Sequence, residues 1–380
     1  MKIFQLKYTP EKNWQKISDE PENYNPDLIL VFGSTQLIKD RTALTELKNK
    51  FPKAILFGGT TAGEICETNV FDHTIIATCV QFNHTRVAYY CAPVNKVDDS
   101  YDIGKRLVEK MPVPDLQHVL VISEGLNING SQLVKGLREA IPPGVSITGG
   151  LAGDGDLFKE TFVLDETGKP QNNLVSAVGF YGKHLNISYG SLGGWDSFGV
   201  ERLVTKSINN KLFELDGKPA LELYKEFLGE KAKDLPASGL FFPLNLRIEK
   251  DSEPVVRTIL AVDESNQSLT FAGNIPEGAY VRLMKANFDN LIEGAVGAAK
   301  KTMRINENEN PQLALLISCV GRKLVLKQII EEEVEGVREV LGNDTILCGF
   351  YSYGEISPFS FEAKCELHNQ TMTITTFNEK

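Results

Sequence analysis

The chain has 380 residues, 42% of them hydrophobic, and a formal net charge of -10. That length exceeds what one core usually organises, so two domains are expected, and an acidic chain whose Lys and Arg are scattered excludes a nucleic-acid footprint. No stretch approaches the ~20 apolar residues of a membrane helix and the first residues lack a signal-peptide core, which predicts a cytoplasmic protein, while six cysteines without a C-x-x-C pair read as buried thiols and not as a zinc knuckle or disulfide framework.

In chain order, residues 1–25 read as a lead-in. An apolar run at 28–32 precedes a helical pattern at 39–50, where Ala43, Leu44 and Leu47 share a face, and a second run at 54–57 completes a strand-helix-strand unit. Residues 74–80 and 85–90 flank a polar turn at Phe82-Asn83-His84, which predicts an antiparallel pair. The second unit comprises 118–122, a helix from Ser131 carrying Leu133, Val134 and Leu137, and 145–147. Residues 176–180 and 185–188 flank Gly182-Lys183-His184 as another hairpin. A domain boundary is expected near residue 210. Beyond it Asp216-Gly217 predicts a turn, and Pro219 suits the first turn of a helix carrying Leu221, Tyr224, Phe227 and Leu228. Strands follow at 255–262, 269–272 and 280–283, then a helix over 287–302. The third unit is 313–317, a helix over 323–340 and 345–347, with Glu331, Glu332, Glu333 and Glu335 read as a solvated helix face. Near-continuous apolar strands joined by crossover helices imply buried, parallel neighbours. The expected class is α/β, with mixed sheets, repeated strand-helix-strand units and two domains, 26–210 and 211–380.

Each unit's second strand runs into one device, a glycine-rich turn closing on Gly and an acid. The copies end at Gly63-Glu64, Gly153-Asp154 and Gly354-Glu355. Glycine lets the backbone turn with φ > 0 and approach a ligand closely, so such turns at strand ends can line one pocket. In the first and third copies Glu stands where a phosphate loop carries Lys, which argues against a nucleoside triphosphate. There is no G-x-S-x-G elbow, no H-E-x-x-H and no Cys-His pair at a family spacing, so an enzyme is not expected. Five histidines, none three or four apart on a predicted helix, argue against a multi-histidine metal centre. His368, Asn369 and Gln370 at a strand start can converge on a ligand or tie down a loop. Trp195 and Phe198 can wall a pocket or form a core pair, and Glu64, Asp154 and Glu355 can hold an ammonium group or cap helices.

The run at 28–32, Phe57-Gly58-Gly59-Thr60-Thr61-Ala62-Gly63-Glu64, Gly149-Gly150-Leu151-Ala152-Gly153-Asp154, Gly193-Gly194-Trp195-Asp196-Ser197-Phe198-Gly199, Glu214-Leu215-Asp216-Gly217-Lys218-Pro219-Ala220-Leu221, Tyr353-Gly354-Glu355-Ile356 and Leu367-His368-Asn369-Gln370-Thr371 stand in the same order as the motifs of the FIST family of sensory proteins. The resemblance covers the chain from residue 26 to its end. It implies a stand-alone intracellular sensor that binds a small molecule, an amino acid or another metabolite, between an N-terminal and a C-terminal FIST domain. The ligand-binding residues implied are Gly63, Glu64, Gly153, Asp154, Trp195, Phe198, Gly354, Glu355, His368 and Asn369. The implied partner is a histidine kinase or other signalling protein. The chain is also similar to the family's haem-containing nitric-oxide sensors, for which His368 and then His184 are the candidate axial ligands.

Overall fold

Three apolar segments, Leu28–Gly33, Leu116–Ser123 and Leu313–Cys319, are buried along nearly their whole length because both faces are covered and both edges are paired. Each pairs in parallel with the strand returning from a helical crossover, Ile55–Thr60, Ser146–Leu151 or Ile346–Ser352. On its other edge each pairs antiparallel with Ile75–Gln81, Leu174–Tyr181 or Met372–Glu379, and an outer strand follows: Lys2–Thr9, Arg86–Pro93 or Leu185–Leu192. The computed structural model, which describes residues 1–248, 254–303, 310–359 and 363–380, is thus a body of three repeats with one strand order.

The repeats are locked by exchange. The hairpin Glu64–Cys66 and Asn69–Phe71, which follows repeat 1's crossover, adds to the sheet of repeat 3. The hairpin Val163–Leu164 and Pro170–Gln171 of repeat 2 adds to repeat 1, and Gly354–Pro358 with Cys365–His368 of repeat 3 adds to repeat 2. The donation closes into a ring and occupies the edge each crossover strand would otherwise expose. Inner faces of all three sheets fill one core, with Leu30, Phe32 and Phe57 from repeat 1 meeting Leu120, Ile122 and Phe180 from repeat 2 and Leu315, Phe350 and Phe377 from repeat 3. Phe32 and Phe350 stack with centroids 4.5 Å apart.

Within repeat 3, between its outer strand and the helix Phe288–Met303, a smaller β-rich domain is inserted over 196–285. Its own core includes Leu212, Leu221, Tyr224, Leu246, Leu269 and Phe271. The boundary expected near residue 210 meets no break in pairing, since Asp196–Ile208 and Lys211–Leu215 form one hairpin across it. Strands from both sides of that boundary share three of the four sheets, so the two domains are interleaved. Lys2–Thr9 lies within the expected lead-in yet is a full strand of repeat 1.

Two expected hairpins are corrected. Ile75–Gln81 is flanked by Lys2–Thr9 and Leu28–Gly33, and Leu174–Tyr181 by Arg86–Pro93 and Leu116–Ser123, so neither has an edge free for the strand that follows it. The turns between them pass the chain to the next repeat. Two expected helices are interrupted by left-handed residues, Arg41 at φ 67° and Lys327 at φ 51°, which divide them into Thr35–Asp40 with Thr42–Lys50, and Val320–Leu326 with Ile330–Leu341. Glu333 is not solvated. It and Arg322 are both fully buried, with Arg322 Nη2 and Nε donating to Glu333 Oε2 at 2.7 and 3.0 Å, while Ser318 Oγ and Tyr351 OH donate to Oε1 at 3.1 and 2.8 Å. Multiple partners offset the desolvation of both charges.

At the crossover strands, a Cβ on Gly58 or Gly149 would fall 1.9 Å from the carbonyl oxygen of Val31 or Val121, and one on Gly349 1.8 Å from that of Leu316. Gly58 and Gly149 also hold φ of 147° and 155°. Alanine at any of the three is expected to cost at least ~2 kcal/mol by urea unfolding, against about 1 kcal/mol at Gly144, whose φ is 85° with nothing within 4 Å. Glu333→Ala, which strands a buried guanidinium, is expected to cost ~3–5 kcal/mol, and Glu332→Ala on the exposed face under about 0.5 kcal/mol.

Candidate functional site

The three glycine-rich corners meet at one end of the body and bond to each other through the backbone. Ala62 N–H donates to Tyr351 O at 2.8 Å, Tyr351 N–H to Gly63 O at 2.8 Å, Gly153 N–H to Thr60 O at 3.0 Å and Tyr353 N–H to Leu151 O at 3.2 Å. One motif repeats around them. The N–H groups of Ser34, Glu124 and Cys319, at the ends of the central strands, donate to the carbonyls of Thr74, Leu174 and Thr371 at 3.0, 2.9 and 3.1 Å. The preceding residues His73, Asn173 and Gln370 are all left-handed, with φ of 60°, 52° and 60°.

The acids of the corners brace this frame. Glu64 accepts from Thr61 Oγ1 at 2.6 Å and Thr74 Oγ1 at 2.8 Å, and Glu355 from Ser352 Oγ at 2.8 Å and Thr371 Oγ1 at 2.9 Å. Both carboxyls are buried, and burial pushes Glu64 up to about 7 and Glu355 up to about 8. In repeat 2 the equivalent register position, opposite Gly59, holds Val163. Asp154 instead accepts from the N–H groups of Phe158, Lys159 and Glu160 at 2.8, 2.8 and 2.9 Å and from the hydroxyl of Tyr353. None of the three acids is left with idle oxygens for an ammonium group.

Two clefts flank the corners at equivalent places. The first, of about 190 Å³, lies against Ser34, Thr35 and Gln36 and is polar, with Glu64, Asp72, His73 and Asp154 in its walls. The second, of about 160 Å³, lies against Cys319, Val320 and Gly321, at the end of the central strand of repeat 3 as Ser34 to Gln36 are at that of repeat 1. Asn369 stands where Asp72 stands in the first. The inserted domain covers the second cleft through Asn210, Leu240, Thr258, Leu260, Phe271 and Ala272, and across from it Phe158 and Tyr353 stack with centroids 4.4 Å apart.

Asn369 lines this covered cleft and is 1% exposed, and neither its Oδ1 nor its Nδ2 has a hydrogen-bond partner among the described residues. Thr258 Oγ1, from the opposite wall, is likewise buried and unpartnered, as is Gln370 Oε1 behind it. Each such group costs ~1–3 kcal/mol when left unmet. These groups are the observation that marks the site.

The other nominated residues sit elsewhere. Trp195 is a core residue whose indole N–H donates to Gln370 O at 2.8 Å, and Phe198 packs on Phe242 in the inserted domain's core, so neither walls a cleft. Gly354 packs under Leu151 and Leu367. His368 is fully buried, its Nε2 donates to Ser357 O at 2.7 Å, its ring edges on Phe359, and burial pushes it down to about 4. His184 is exposed and lies against His84. Neither lines a cleft, so the pair does not fit the axial ligands of a haem, and the described residues hold no group of His, Cys, Asp or Glu suited to a metal ion. Tyr353, Cys319 and Gly321 border the covered cleft without having been singled out. Tyr353 could have been, as the residue before the third Gly-acid pair.

The raised carboxyls set a pH dependence. A carboxyl whose folded value lies above the unfolded ~4.3 binds its proton more tightly when folded, so stability is fully present below the unfolded value and falls as pH rises through the folded one. Melting temperature is expected to fall between about pH 5 and pH 8, and Glu64→Gln with Glu355→Gln is expected to flatten that fall.

Family models for the FIST N domain and the FIST C domain match residues 27–218 and 220–358. An uncharacterised protein of Methanocaldococcus jannaschii is 23% identical over 386 residues, 94% of this chain and 72% of the relative. A solved cyanuric acid hydrolase from A. caulinodans aligns over 93% of this chain and 90% of its own at 7% identity and a TM-score of 0.38. The expectation that the chain is not an enzyme is corrected by that hydrolase, although a likeness of this degree carries no argument for a reaction. Among the described residues no helix is long and apolar enough to cross a membrane. With both domain models matched in order, the chain belongs to the FIST family, whose domains are associated with sensing in signal transduction.

Proposed function

We propose that the chain is a sensor whose small-molecule site is the covered cleft between the three-repeat body and the inserted domain, and that occupation is reported to a separate signalling protein such as a histidine kinase. The buried amide of Asn369, with both polar atoms unmet at the cleft wall, carries the reading. A buried polar group without a partner destabilises the empty protein, so a ligand that meets it binds where the fold has left free energy to recover. The two walls belong to different bodies, Thr258 and Leu260 on one side and Val320 and Tyr353 on the other. A ligand touching both favours the closed arrangement by its differential affinity, which gives a signal a physical route out.

The test separates stability from binding. Asn369→Leu removes an unmet amide at similar volume, so the ligand-free protein is expected to be as stable as wild type or stabler by about 1 kcal/mol. Wild type is expected to rise in melting temperature with a small metabolite that fills the cleft, and the same variant to lose that rise. A variant that is clearly destabilised and still responds would remove Asn369 from the site.

A further inference from the structure

The chemistry of the covered cleft narrows the ligand, and this deepening rests on the site proposed above. Among the described residues, every side chain lining the cleft is uncharged. The polar cleft of repeat 1, built on the same frame, is lined by Glu64, Asp72 and Asp154. A zwitterionic amino acid placed in the covered cleft would bring an ammonium and a carboxylate to walls with no countercharge, and burying an unpaired charge is strongly unfavourable. Of the corner acids, Glu355 is occupied by Ser352 and Thr371, and Asp154 by Tyr353 and the N–H groups of Phe158, Lys159 and Glu160, and neither lines the cleft.

What the walls offer is a donor and an acceptor side by side on Asn369, a hydroxyl on Thr258, and apolar surface from Leu126, Leu260 and Phe271. A carboxamide returns one acceptor and one donor to another carboxamide in a single plane, and a lactam does the same. The volume of about 160 Å³ is close to that of an engineered apolar cavity of ~150 Å³ that takes up benzene. We infer that the covered cleft takes a neutral molecule of about one ring that carries an amide or lactam edge, read by Asn369 and Thr258.

Calorimetric titration with a neutral panel (benzamide, nicotinamide, 2-pyridone and δ-valerolactam), with benzoate as the charged isostere of benzamide, and with the common amino acids tests this. At least one neutral member is expected to bind, with benzoate at least about tenfold weaker than benzamide and the amino acids no tighter. Thr258→Val is expected to weaken the neutral ligand about tenfold, the loss of one hydrogen bond, and Asn369→Leu, independently, about a hundredfold, the loss of two. Leu260→Trp, at a position already 45% exposed on the cleft rim, is expected to block binding without loss of fold. Amino-acid binding that Leu260→Trp blocks would keep the cleft as the site and overturn the neutral chemistry. Binding of any of these compounds indifferent to Leu260→Trp would overturn both, and silence of the whole neutral panel would overturn the inference.

Discussion

The exchange of hairpins among the three repeats is the constraint on which the rest depends. Each crossover strand ends at a corner where the chain leaves its own sheet for the next one, and that departure places Gly63, Gly153 and Tyr353 within backbone hydrogen-bond reach of each other's strands. Small residues are required where crossover strands press on central ones, at Gly58, Gly149 and Gly349. Buried carboxyls at Glu64 and Glu355 tie the start of two exchanged hairpins to Thr74 and Thr371, the residues just before the return strands. The acids of the repeated motif are therefore parts of the frame, and their raised values follow from burial within it.

One frame used three times creates equivalent hollows that can diverge in lining. In repeat 1 the hollow is polar and lies beside Asp72, itself ion-paired to Lys323. In repeat 3 the same backbone carries Cys319, Val320, Gly321 and Asn369, and the inserted domain closes over it. Gly321 belongs to that design, since a Cβ there would meet the Gln370 amide at 2.4 Å. Insertion of a domain into one repeat thus converts an open hollow into a two-sided cleft without altering the frame.

Much of this was legible in the sequence. The strand-helix-strand units were visible because buried strands are continuous apolar runs, and the repeated Gly-acid turns pointed to corners that come together. The hairpins across Phe82-Asn83-His84 and Gly182-Lys183-His184 misread because local alternation reports a strand and not its partner, and both edges of the preceding strand were taken by residues far away in sequence. Glu333 read as solvated because its charge is visible in sequence and the guanidinium of Arg322 that meets it is not visibly near. Trp195 in the core and Phe198 packed against the inserted domain's core misread for a related reason, since an aromatic beside glycines looks the same whether it faces a ligand or the protein's own interior. Asn369 was visible as a polar residue at a strand start, but its unmet amide and the wall supplied by Thr258 and Leu260 exist only after folding.

Amide hydrogen exchange on the intact protein, with and without saturating benzamide or whichever of the neutral compounds binds most tightly, tests the central claim most directly. The account predicts added protection on both walls together, around 369–371 and 319–321 of the body and around 258–272 of the inserted domain. Protection confined to one wall, or gathered instead around the polar hollow at 34–36 and 72–73, would contradict it.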